Sequence, residues 1–221
     1  MSNIFVNKDS VYNYVEDNLK KLVLCKTIVD NARYHHNTTY EFAPSVIKHG
    51  ILSMVGQSKL GIKNYSDDLL KLMSNTDSHI NGDTGVSLSV VGLKDLYRDE
   101  FEYDPFGTNL IDFLITSDVI AYRTTTHYGN EYIAGDLSND KIKSVDIRLL
   151  KHIDMLIKKD VNASDISKLT EIVEKYNYLI DIARTLKDTN LNIPIREMSE
   201  ENELSLDIDK LADSAKILVR K

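Results

Sequence analysis

Cysteine is nearly missing from this sequence, since Cys25 is the one cysteine among 221 residues. A single cysteine excludes an internal disulfide framework and a cysteine-rich metal site. The six histidines include no HExxH-type helical pair, and the adjacent His35 and His36 would point to opposite faces of a strand. The sequence therefore predicts no bound metal.

Long apolar runs and basic clusters are missing as well. No apolar stretch approaches the ~20 residues that cross a membrane, so we expect no membrane association. The first residues lack the regions of a signal peptide, so we expect a cytoplasmic protein, in the cell that makes it or in a target cell. The net charge is −7, which disfavours a broad nucleic-acid-binding surface. P-loop, GxSxG and glycine-rich dinucleotide motifs are absent, so kinase, hydrolase and Rossmann dehydrogenase functions lack local support.

The first 150 residues show the mixed periodicity of an α+β body. Apolar spacing predicts a helix over 9–32, a strand over 33–38 and a short helix over 42–49 that Gly50 ends. Residues 56–84 surround one apolar patch with Gly, Ser, Asn and Asp, which predicts an inserted loop with one helix. Further strands are predicted at 85–91, 109–116, 119–122, 131–134 and 145–149.

The pattern changes after Leu150. Apolar residues recur every three or four positions over 164–187, which predicts an amphipathic helix that packs on the body. Residues 189–203 have the composition of a linker, and 206–219 predict a last helix. We therefore expect an α+β domain over 1–150 and a helical appendage over 151–221, which offers a surface to a protein partner.

Three short stretches contain the residues that point to a chemistry. The first is His36-Asn37-Thr38, followed by a helix that closes on Gly50-Ile51. The second is Gly85-Val86-Ser87-Leu88-Ser89, with Tyr97 shortly after it. The third is Tyr128-Gly129-Asn130-Glu131-Tyr132-Ile133. Each stretch is short, so their order and separation matter more than any one of them.

In this order the stretches resemble the ADP-ribosyltransferase superfamily, and within it the diphtheria-toxin-like branch that includes the poly(ADP-ribose) polymerases. That branch has a strand with His-x-Ser/Thr, a short helix closing on Gly-Leu or Gly-Ile, a Gly-Ile-Tyr-Phe-like strand, a tyrosine and a strand that opens with Asn-Glu-Tyr-Ile. The resemblance covers roughly residues 33–149. It implies an α+β fold with a split, mostly antiparallel β core of ADP-ribosyltransferase type and flanking helices.

The resemblance also implies an enzyme that uses NAD as co-substrate and transfers ADP-ribose to a macromolecule. Breaking the bond between nicotinamide and ribose builds positive charge on the ribose, which the carboxylate of Glu131 would stabilise. His36 and Thr38 would bind on the adenosine side of NAD. Tyr97 would stack on the nicotinamide ring, and Ser87 or Ser89 would hydrogen-bond its carboxamide.

One departure from the family bears on the acceptor. Arginine-specific transferases carry Glu or Gln two residues before the catalytic glutamate, and Gly129 stands there in this chain. Arginine is therefore disfavoured as the acceptor, and the acidic net charge favours a protein over a nucleic acid. A small transferase of this kind fits a toxin, an effector or a phage counter-defence protein.

Two alternatives stay open on the same fold. Water as the acceptor would make the chain an NAD glycohydrolase that uses the same glutamate. An inactive chain would act as a binding module that docks a partner through its tail. For single residues, Glu131 can be a solvated strand residue, Tyr97 a core tyrosine, and Ser87 and Ser89 a strand face.

Overall fold

The computed structural model describes residues 3–27, 29, 31–75, 84–90, 110–123, 131–158, 166–198 and 203–220. Its helices are α1 (Val11–Leu22), α2 (Ala43–His49), α3 (Met54–Lys59), α4 (Asp67–Asn75), α5 (Leu149–Lys158), α6 (Ile166–Asp188) and α7 (Ile208–Asp213). Its strands are β1 (Ile4–Val6), β2 (Val23–Lys26), β3 (Ala32–Thr39), β4 (Val86–Val90), β5 (Leu110–Thr116), β6 (Ala121–Arg123), β7 (Glu131–Ala134), β8 (Ile142–Ile147), β9 (Ile195–Met198), β10 (Glu203–Leu206) and β11 (Ile217–Val219). No helix within these ranges has the length and apolar character needed to span a bilayer.

The described strands form one large, mostly antiparallel sheet. Its order is β2-β10-β9-β8-β5-β3-β4-β7-β6, and the β8–β9 pair is parallel while the other neighbours run antiparallel. A separate parallel pair, β1 with β11, joins the two ends of the chain. The predicted α+β class is therefore confirmed, while the ADP-ribosyltransferase type of the fold stays a prediction.

The helices cover an apolar core, and α6 lies at its centre. Its buried residues recur at helical spacing, as predicted for 164–187: Leu169, Ile172, Val173, Tyr176, Leu179, Ile180, Ala183 and Leu186. The helix packs against α1, α2 and α7, so it is part of the body and does not extend from it. Burial of this stripe removes apolar surface from water, which stabilises the whole domain.

The predicted first helix is too long. It ends at Leu22, and Val23–Lys26 continue as β2, which pairs antiparallel with β10. Val23 already has an extended backbone, with φ −67° and ψ 124°. The apolar pattern of 22–29 fits a helix as well as a strand, and the edge of β10 supplies the hydrogen bonds that decide in favour of the strand.

The description of residues 151–221 as helical is also incomplete. Residues 195–198, which the composition assigns to a linker, form β9, and β9 pairs with β8 through Val145–Ile195 and Asp146–Arg196. The predicted helix over 206–219 is shortened to α7 and followed by β11. The large sheet therefore runs across the division that the pattern predicts at residue 150.

Strand β3 divides its hydrogen bonds unequally between its two neighbours. It pairs with β5 as far as Thr39, but it pairs with β4 only at Tyr34–Val90 and His35–Ser89. Past His35 the pairing between β3 and β4 ends, and this is where the sheet splits. The motif His36-Asn37-Thr38 lies on the far side of that split.

Gly50 is required where α2 ends. Its φ is +84°, in the left-handed region, and its N–H donates to the carbonyl oxygen of Val46. The next residue, Ile51, forms an antiparallel bridge with Leu137 through two 2.8 Å backbone hydrogen bonds. A Cβ atom at residue 50 would collide with the carbonyl oxygen of Leu137.

We therefore expect Gly50→Ala to lower the free energy of unfolding by about 3 kcal/mol, from the left-handed backbone and the collision together. Gly61 is the matched control, because its φ is +67° and its Cβ position is open. Gly61→Ala should cost only about 1 kcal/mol. Urea unfolding of both variants measures the difference, and equal losses would contradict the close approach to Leu137.

A buried glutamate joins β9 to the start of α5. Glu197 is 1% exposed, and its carboxylate accepts hydrogen bonds from the backbone N–H groups of Leu149 (3.2 Å) and Leu150 (3.1 Å). Burial raises the pKa of Glu197 to about 8, although these two bonds oppose the shift. Its ionisation therefore costs more in the folded protein than in the unfolded chain.

This raised pKa predicts a pH-dependent stability. The contribution of Glu197 is fully present below its unfolded pKa of about 4.5 and is lost as the pH rises through about 8. Glu197→Gln removes the ionisation. Unfolding free energies at pH 5 and pH 8 should therefore fall less with rising pH in the variant than in the wild type, and parallel curves would show that Glu197 does not titrate in this range.

Candidate functional site

A pocket opens beside the split between β3 and β4. It encloses about 180 Å³ and lies between the end of β3, helix α2 and the segment that contains α3. The described residues that line it are His36, Thr38, Phe42, Ser45, Val46, Gly50, Ile51, Leu52, Gln57, Ile62, Lys63 and Tyr65. It is smaller than a typical ligand pocket of roughly 300 Å³ or more, so it suits one part of a longer ligand.

His36 connects this pocket to β4. Its Nδ1 lies 2.9 Å from the backbone carbonyl oxygen of Ser87, and a carbonyl can only accept, so Nδ1 carries the proton. Burial lowers the pKa of His36, while the bond to Ser87 and the charge of Asp112 oppose that shift. The neutral ring therefore has Nε2 as an acceptor, which suits a ligand hydroxyl.

The neighbouring His35 has a different environment. It is 4% exposed, and its Nδ1 lies 3.1 Å from Oδ1 of Asn37 and 3.5 Å from Oδ1 of Asp112. Arg148 lies against the other oxygen of Asp112, at 3.6 Å. Successive residues of a strand alternate between its faces, so one histidine of the pair joins a buried polar cluster and the other lines the pocket.

Strands β4 and β7 carry the other two motifs beside β3. Ser89 pairs with His35 on one side and with Glu131 on the other, and Ser87 pairs with Ile133. Glu131, Ser89 and His35 are therefore in register across the three strands, and His35 is one residue before His36. Since β4 alone separates β3 from β7, their backbones lie about 10 Å apart.

Two parts of the predicted site lie outside this description. Tyr97 and residues 128–130 are outside the described residues. Glu131 is described through its backbone position at the start of β7. The predicted roles of Glu131 and Tyr97 stay predictions.

The segment after Ser53, predicted as an inserted loop with one helix and given no role in the site, contains two helices and supplies a wall of the pocket. Gln57, Lys63 and Tyr65 line it, and the hydroxyl of Tyr65 donates to Oε1 of Gln57 at 2.9 Å. No motif marks these residues, because they meet His36 only after the chain has folded back. A Lys and a Tyr within a few residues are too common to signal a site.

This wall is attached to the strand that begins with Glu131. The carboxylate of Asp136, which follows β7, accepts a 2.7 Å hydrogen bond from the backbone N–H of Ser53. Ser53 in turn caps α3 by accepting from the N–H of Gly56 at 3.0 Å. A Cβ at residue 56 would collide with the Asp136 carboxylate, so glycine permits this close approach. The pocket wall and β7 are thereby fixed relative to each other.

Within the described ranges, no three His, Cys, Asp or Glu side chains are grouped as metal ligands would be. Two buried carboxylates of the sheet face arginines: Arg196 forms bonds of 2.7 and 2.6 Å to Asp146, and Arg148 lies 3.6 Å from Asp112.

No protein-family model matches the chain, and no curated protein is similar to it in sequence. Among solved structures, the chain is similar to Thermosipho africanus DarTG in complex with ADP-ribose, at 12% identity and a TM-score of 0.34. The match covers 61% of this chain and 48% of that one, so the chain spans about half the length of its match.

Proposed function

We propose that this chain is an NAD-dependent mono-ADP-ribosyltransferase. The observation that carries the proposal is the neighbourhood of β3, β4 and β7 in the sheet. Three motifs that are far apart in the sequence begin or end on these three strands, beside a split that opens into a pocket. A chance resemblance of short motifs would not require their strands to be adjacent.

The proposed reaction breaks the bond between C1′ of the ribose and the nicotinamide nitrogen. Nicotinamide leaves with the bonding electron pair, and the ribose becomes a cation of oxocarbenium type. The carboxylate of Glu131 stabilises this cation. A nucleophile of the acceptor then forms a bond to C1′ and releases its proton to a carboxylate or to water.

His36 and Thr38 bind the adenosine side of NAD. A neutral His36 with its proton on Nδ1 accepts a ribose hydroxyl at Nε2, and the hydroxyl of Thr38 supplies a second contact. This assignment is supported by the bond to Ser87, which determines the tautomer, and by the presence of both residues in the pocket lining.

The remaining contacts belong to the same proposal. Ser87 or Ser89 hydrogen-bonds the carboxamide, and Tyr97 stacks on the nicotinamide ring. The acceptor is a protein, in the cytoplasm of the producing cell or of a target cell. A toxin, an effector or a phage counter-defence protein would work in this way.

The first test is Glu131→Gln, which keeps the shape of the side chain and removes its charge. Loss of one preorganised electrostatic contact costs about 10²–10³ in rate, so nicotinamide release from NAD should fall by that factor while NAD binding survives. Glu174→Gln, on the exposed face of α6, is the control and should turn over normally. Turnover by Glu131→Gln at the wild-type rate would refute the role of Glu131.

The second test is His36→Ala, which should weaken NAD binding by roughly 1–3 kcal/mol, because it removes a partner of a ribose hydroxyl. The pH dependence adds a sharper readout. Below the lowered pKa of His36 the ring gains a proton on Nε2 and can no longer accept there, so wild-type affinity should drop with falling pH. Calorimetric titrations that showed the same pH dependence in His36→Ala would rule out this role.

The products formed from NAD distinguish a transferase from an NAD glycohydrolase and from an inactive binding module. Labelled NAD incubated with the protein in a cell lysate should leave the label on a protein. Free ADP-ribose as the sole product would identify an NAD glycohydrolase, and a stable protein complex without NAD binding would identify a binding module.

A further inference from the structure

The ammonium group of Lys63 lies beside two aromatic rings in the pocket wall. Its Nζ is 5.3 Å from the ring centroid of Phe42 and 5.1 Å from that of Tyr65. Both distances are within the ~6 Å at which a ring attracts a cation. Lys63 is exposed and also lines the pocket, so this cation lies at the mouth.

Neighbouring bonds hold this arrangement in place. Tyr65 donates to Gln57, and Nε2 of Gln57 donates to the carbonyl oxygen of Leu52 at 3.0 Å. The backbone of Lys63 is restrained as well, because its carbonyl oxygen accepts from the hydroxyl of Ser58 at 3.1 Å. A pocket wall that is already ordered loses less entropy when a ligand binds.

The charge of the pocket differs from that of the chain. The sequence has 34 acidic and 27 basic residues. Among the described lining residues, however, none is Asp or Glu, and Lys63 contributes a full positive charge. A cation at the mouth of a pocket without carboxylates attracts an anionic ligand.

We propose that Lys63 binds the diphosphate of the dinucleotide whose ribose His36 and Thr38 hold. The cation selects phosphorylated ligands over neutral nucleosides, and it comes from the 53–84 segment, outside the three motifs. This inference rests on the proposed function, because it takes NAD as the occupant of the pocket.

The test compares two ligands by calorimetry: ADP-ribose, which carries the diphosphate, and adenosine, which lacks it. Lys63→Gln should bind ADP-ribose about tenfold more weakly, since one charge-assisted hydrogen bond is lost, and should bind adenosine as the wild type does. Lys63→Arg should retain most of the affinity for ADP-ribose. Lys59→Gln is the matched control, because Lys59 is exposed at the end of α3 and does not line the pocket.

Each other outcome overturns the inference. Unchanged affinity of Lys63→Gln for ADP-ribose would show that the cation does not contact the diphosphate. An equal loss for ADP-ribose and adenosine would show a distorted pocket. Failure of the proposed function looks different, because the wild type would then bind neither ligand.

Discussion

The site depends on the unequal pairing of β3. This strand is joined to β5 as far as Thr39 but to β4 only at Tyr34 and His35, so the sheet separates where the His36 motif begins. His36 spans the start of the gap with its bond to the Ser87 carbonyl, and that bond determines which ring nitrogen can face a ligand. Full pairing of β3 with β4 would place backbone hydrogen bonds where the pocket now opens.

A second set of contacts joins the two sides of the candidate site. The bridge between Ile51 and Leu137, and the bond from Ser53 to Asp136, attach the segment after α2 to the segment after β7. The pocket wall and the strand that begins with Glu131 are therefore held together over more than 80 residues of sequence. Glycines lie at both contacts: a Cβ atom at residue 50 would collide with the backbone of Leu137, and one at residue 56 would displace the Asp136 carboxylate.

The adjacent residues His35 and His36 lie in different surroundings. Strand alternation sends His35 into a buried cluster with Asn37 and Asp112, while His36 lines the pocket. The row of polar residues continues across the sheet, because Asp112 pairs with Asp146 and Asp146 with Arg196. Burial of these groups is tolerable because they bond to one another. The cluster supports β3 from the face opposite the pocket.

The sequence by itself determined the elements whose signals are local. The helix α2 and its end at Gly50, the stripe of α6 and the strands β3, β4, β5 and β7 follow from spacing within a few residues. Only the tertiary structure decided that Val23–Lys26 and Ile195–Met198 are strands, and that Gln57, Lys63 and Tyr65 line one pocket with His36. The physical reason is that a strand needs hydrogen bonds from a partner strand, and a pocket needs walls from distant segments. The residues next to a strand do not specify its partner strand, and the residues next to a pocket residue do not specify the opposite wall.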